Sequence, residues 1–132
     1  MKLDHATILT SDLESARRFL CGIAGLRDGP RPPFRIGGYW LYADDRPVIH
    51  LVQSTLPAVE GRTSPRIDHI ALRVDDVAQW AALVDRIGSS NFPFTFAEVP
   101  LANELQLFVS LAPSVVIEFV TKLGNSRSTL VK

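Results

Sequence analysis

The chain has 132 residues, 46% of them apolar, with 14 basic and 14 acidic side chains. Length and apolar content fit one folded domain with an ordinary core and exclude a disordered chain. A net charge of zero supplies no basic field for a phosphate backbone or an anionic membrane, so neither nucleic acid nor membrane is an expected partner. The opening MKLDHATILTSDL has no apolar signal core, and no run approaches the roughly 20 apolar residues of a membrane span. With Cys21 the single cysteine, the expectation is a cytoplasmic protein that folds without disulfides.

In chain order, the alternation from Leu3 to Leu9 predicts a strand. Ser11-Asp12-Leu13-Glu14 is a capping-box pattern opening a helix to about Ile23, with Leu13, Ala16, Leu20 and Ile23 as its apolar stripe. Gly22, Gly25 and then Gly29-Pro30-Arg31-Pro32-Pro33 stop that helix, and strands are expected near Phe34–Ile36 and Tyr39–Ala43. Asp44-Asp45-Arg46-Pro47 turns the chain into a strand over Val48–Gln53, and residues 55–65 read as a linker. Beyond it come a strand over Arg66–Val74, a helix over Val77–Ile87, and strands near Phe94–Val99, Glu104–Ser110 and Val115–Thr121.

Laid against itself, the chain repeats. LDHATILTSDL at 3–13 matches IDHIALRVDDV at 67–77, and VIHLV at 48–52 matches VIEFV at 116–120. Each copy is a βαβββ module, spanning 1–54 and 66–122, with 123–132 as a tail. One helix covers only one face of such a sheet. The expected fold is therefore α+β, two tandem βαβββ modules forming curved mixed sheets around a central cavity that holds a metal.

The metal follows from strand periodicity. Ala6 and Ile8 suit the helix side of the first strand, which sends His5, Thr7 and Leu9 to the open side. Likewise Ile70, Leu72 and Val74 face the helix, leaving His69, Ala71 and Arg73 opposite, while His50 and Glu118 turn inward between apolar neighbours. A lone strand histidine is usually structural. Here all three histidines and one glutamate fall on one side at repeat-equivalent points, and a carboxylate buried among apolar residues is costly unless paired or metal-bound. Imidazole and carboxylate together suit a divalent transition metal: Zn, Ni, Fe, Mn or Co.

On these residues the sequence resembles the vicinal oxygen chelate superfamily, which includes glyoxalases, epimerases, extradiol dioxygenases and bleomycin-resistance proteins. LDHATILTSDLESARRFLCGIAGL resembles its opening strand and helix, and RPPFRIGGYWLYADDRPVIHLV its middle strands. IDHIALRVDDV resembles the start of its second module, and VVIEFV its last strand. The resemblance implies His5, His50, His69 and Glu118 as four metal ligands. Two departures stand out. His50 occupies a position where glyoxalase I has Glu and the epimerase Gln, and Ser110-Leu111-Ala112-Pro113-Ser114-Val115 replaces an Asp-Pro-x-Gly turn.

The resemblance implies an enzyme that binds a small substrate bidentately through neighbouring oxygens and catalyses metal-assisted proton transfer, a lyase or isomerase reaction. Glu118 then doubles as general base, with His50 second in line. If His50 stays off the metal, His5, His69 and Glu118 form the three-ligand set of an extradiol ring-cleaving dioxygenase. A metal-free binding or resistance protein is the remaining alternative. Trp40, Phe34 and Phe108 are the expected substrate walls, and Arg35 and Arg73 are weaker candidates for an anionic substrate group. Cys21 has no nucleophile signature around it. The resemblance also implies a homodimer, with His5 and His50 of one chain meeting His69 and Glu118 of the other.

Overall fold

The computed structural model of the protein describes residues 1–54, 66–112 and 115–126. The expected linker 55–65, Pro113-Ser114 before the last strand and tail residues 127–132 lie outside the described residues. The first half comprises β1 (Lys2–Thr10), α1 (Leu13–Arg17) running into a π-helical segment (Arg18–Ile23), β2 (Arg27–Gly29), β3 (Gly38–Ala43) and β4 (Arg46–Gln53). The second comprises β5 (Arg66–Arg73), α2 (Val77–Gly88), β6 (Phe94–Val99), β7 (Glu104–Ala112) and β8 (Val115–Lys122). The βαβββ order thus occurs twice. In the first module the strand order is β2-β3-β4-β1, with β1 and β4 parallel and the β2/β3 and β3/β4 pairs antiparallel; in the second, β6/β7 and β7/β8 pair antiparallel.

Two compact units partition the chain, His5–His69 and Met1–Asp4 with Ile70–Lys132. In the His5–His69 unit, Leu41 and Leu51 are fully buried. The helix cap is Asp12, whose carboxylate accepts from Ser15 N at 3.0 Å, rather than Ser11. Thr10 Oγ1 accepts from Asp12 N at 3.1 Å and sets that entry. The widened turn after Arg17 moves the helix off its 3.6-residue period. Leu13, Ala16 and Leu20 are half-buried as the stripe required, but Ile23 emerges 76% exposed. Gly25 then closes the segment at φ 88, a conformation that costs glycine little.

The strand expected at Phe34–Ile36 is absent: these residues form a loop and bend. Pro32 and Pro33 before them have no N–H to give a ladder. The second strand of this module is instead Arg27–Gly29, registered with Arg27 opposite Tyr42 and Gly29 opposite Trp40. A Cβ on Gly29 would stand 2.6 Å from the Tyr42 ring, so the edge strand approaches β3 closely because that residue has no side chain.

In the second unit Asp76 caps α2 by accepting from Gln79 N at 2.8 Å. The helix buries Trp80 and Leu83 in a cluster with Val74, Leu105, Leu107 and Val109, each full burial contributing about 1.5–3 kcal/mol. Alternation along β7 sends Leu105, Leu107 and Val109 into this cluster. It leaves Gln106 and Phe108 on the opposite face, the face that β8 shares through Glu118. Ile70, expected beneath the helix, is 37% exposed. No helix among the described residues is long and apolar enough to cross a membrane.

Candidate functional site

Ladder register assembles the histidines. The parallel β1/β4 ladder sets Thr7 opposite His50, and the β3/β4 ladder sets Trp40 opposite His50. His5 lies two residues before Thr7, on the same face of β1. The rings meet accordingly: His50 is stacked on His5, centroids 3.7 Å apart and planes at 12°, and on Trp40 at 4.3 Å and 12°. His69 stands edge-on to His5 at 6.2 Å and 74°. His5 is only 4% exposed.

Asp68 defines how His69 is held. Its Oδ2 lies 2.9 Å from His69 Nδ1, and since a carboxylate only accepts, Nδ1–H donates and the Nε2 lone pair is left as a ligand. Arg66 donates to the other oxygen of Asp68 at 3.3 Å. Sequence reasoning used the Asp-His dipeptide as a mark of the repeat and missed this contact. The dipeptide was the available signal; in the other copy Asp4 accepts from Arg73.

Phe34 lies 6.2 Å from Trp40, tilted by 52°, with the Arg31 guanidinium 5.1 Å above its ring. Arg31 Nη2 donates to Ile36 O at 2.9 Å, its Nε is buried without a hydrogen-bond partner, and burial lowers its pKa from the usual value. Arg31 had drawn no notice in the sequence beyond the proline-rich stop. Arg35 is exposed. Cys21, a free thiol, is half-buried on the π-helical segment.

In the second unit Glu118 is 1% exposed. Phe108 is its cross-strand neighbour, and Gln106 Nε2 approaches its Oε2 at a long 3.4 Å. Gln106 had no local signal; only the β7/β8 register reveals it. Arg73 does not await an anionic substrate group as expected. Its guanidinium donates to Asp4 at 2.7 Å, to Asp75 at 3.0 Å and to Glu104. Burial alone would lower the Arg73 pKa, but these carboxylates outweigh it and raise it. Glu104 shifts upward too, chiefly by burial, with the charges of Asp4 and Glu118 adding to it against Arg73. Both directions agree if the guanidinium is shared three ways and Glu104 is the member least compensated.

The donors suit a divalent transition metal. His5 and the edge-on His69 provide imidazole nitrogen in the His5–His69 unit, and Glu118 is a buried carboxylate in the other.

No family model matches the sequence, and no curated protein matches it significantly. Solved structures do match. Methylmalonyl-CoA epimerase from Mycobacterium tuberculosis is 22% identical with a TM-score of 0.66, covering 92% of this chain and 87% of its own. Homoprotocatechuate 2,3-dioxygenase from Arthrobacter globiformis is 14% identical with a TM-score of 0.70, over 92% of this chain and 36% of its own. The Mn(II)-bound glyoxalase from Novosphingobium aromaticivorans is 14% identical with a TM-score of 0.63, over 91% and 38%. The chain therefore spans less than half the length of the latter two. The chain shares the fold of these three proteins.

Proposed function

We propose that this chain is a divalent-metal-dependent enzyme that holds a small substrate through two neighbouring oxygens and moves a proton beside a carbonyl, a lyase or isomerase reaction of glyoxalase type. Its donors are His5, His69 and Glu118, two of them buried and one half-buried. The observation that carries the reading is the Asp68–His69 pair next to buried His5, since metal-ligating imidazoles commonly give their other N–H to a carboxylate. The epimerase and the manganese glyoxalase of this fold lend support to the reaction class.

A divalent ion bound by these residues supplies Lewis-acid stabilisation of negative charge developing on the substrate oxygens. Asp68 keeps His69 in the tautomer that presents Nε2. Glu118 accepts the proton from the carbon beside the carbonyl, its burial removing competing water. Trp40 and Phe34 offer an apolar wall, and Phe108 flanks the carboxylate across the β7/β8 ladder.

A second reading, ring cleavage by an extradiol dioxygenase, is favoured by one observation. With His50 stacked flat on His5, the remaining donors are two histidines and one carboxylate, the set of non-haem iron oxygenases. One experiment separates the two. Metal-loaded protein is incubated in deuterated buffer without oxygen with a panel of small 2-oxo and 2-hydroxy carbonyl compounds, and separately with catechols in air. Proton transfer predicts metal-dependent deuterium incorporation beside a carbonyl; oxygen uptake on a catechol without such exchange overturns it in favour of the dioxygenase. Binding with neither reaction, and no metal, leaves a binding protein.

The same reading favours a homodimer acting on a small molecule. Leu3, Phe19, Ile23 and Ile67 are each more than half exposed, and such apolar side chains are suited to burial against another chain.

A further inference from the structure

We propose that His50 is a positioning residue and not a metal ligand: gripped between Trp40 and His5, it fixes the ring plane of His5. The inference rests on the metal reading above and concerns residues of the His5–His69 unit alone. A nitrogen lone pair lies in the plane of its imidazole ring. His5 and His50 are nearly parallel, at 12°, with centroids 3.7 Å apart, so their planes run side by side. One ion at a metal–nitrogen distance of about 2.1 Å does not lie in both planes. His69, at 74° to His5, has no such conflict, because in-plane lone pairs of edge-on rings converge.

Trp40 completes the device. Its indole covers the other face of His50 at 4.3 Å and 12°, and the register of Trp40 opposite His50 on β3/β4 holds both rings on rigid strands. Phe34 packs on Trp40, and Arg31 sits over Phe34. The result is a file of planar groups ending at His5. A ligand whose ring plane is set before metal arrives needs less ordering on binding, and outer-shell partners of this kind are worth about 10–100-fold in metal affinity.

The test swaps donor for shape. His50→Phe keeps a flat ring but has no donor, while His50→Gln keeps a donor but loses the ring. Affinity for Zn(II) and Co(II) is measured by chelator competition on the full chain, with the visible spectrum of the Co(II) form recording its ligand field and circular dichroism recording the fold. Expected are His50→Phe within about threefold of wild type with an unchanged cobalt spectrum, and His50→Gln weakened about 10–100-fold. Trp40→Phe should stay near wild type and Trp40→Ala should weaken like His50→Gln, which decides the matter if His50→Phe does not fold. The reverse order, His50→Gln retaining metal and His50→Phe losing it, makes His50 a ligand and overturns the inference; so does equal affinity across the four variants. A wild-type chain that binds neither ion overturns the metal reading itself, a result distinct from either.

Discussion

A carboxylate that is 1% exposed, as Glu118 is, sits where its charge is poorly solvated, with Phe108 across the ladder and a long contact to Gln106. Function accounts for that cost if the charge serves a cation. Glu118→Gln, nearly isosteric and neutral, should therefore abolish tight metal binding in a chelator-competition titration. Arg73 is the opposite case, a charge kept for the fold. Replacing it by Met leaves Asp4, Asp75 and Glu104 facing one another, and stability should fall by about 3 kcal/mol at neutral pH. The pH dependence has a definite sign. Glu104 is already raised by burial in the folded state, and without Arg73 it rises further, so its protonated form is the one folding favours. The deficit of the Arg73→Met variant should shrink as pH falls toward the ordinary carboxylate range near 4, which unfolding curves across pH would record; a deficit constant with pH would contradict the shared-guanidinium account.

At the scale of elements, the two helices make contrasting predictions. Asp76→Ala removes the α2 cap and should cost about 1 kcal/mol, and Trp80→Ala, at the centre of the core cluster, about 4 kcal/mol. Ile23→Lys should change stability by less than about 0.5 kcal/mol, although the sequence placed Ile23 on the buried stripe; thermal unfolding of the three variants checks the ranking. That stripe was legible as far as Leu20, because Leu13, Ala16 and Leu20 follow a helical period. The π-helical turn after Arg17 has no sequence signature and carries Ile23 into solvent. Strand β6 was legible to the residue, Phe94–Val99, since an apolar alternation bounded by turns is a local signal. Strand β2 was not: Arg-Asp-Gly has no strand pattern, and it pairs because Tyr42, Leu41 and Trp40 stand ready on β3. For the site, the repeated Asp-His marked His5 and His69, and strand parity placed His50 on their side. The Trp40–His50–His5 stack was illegible because it depends on the register of three strands.

At the scale of the whole molecule, the βαβββ repeat matches solved structures over 91–92% of the chain, which fixes the fold and leaves the activity to be tested at the proposed donors. If the chain is a homodimer, sedimentation equilibrium should give twice the 14.6 kDa chain mass, and a monomer at micromolar concentration would contradict it. A metal that binds only the folded state at 100 times its Kd adds about 2.7 kcal/mol, so a chelator should lower Tm by roughly 10 °C. The most direct test is elemental mass spectrometry of the untagged protein, as purified and after reconstitution, beside His69→Ala and Glu118→Gln. The account predicts close to one transition-metal ion per chain in the wild type and loss of most of it in both variants. A wild type without metal even after reconstitution, or variants that retain it, would contradict the account.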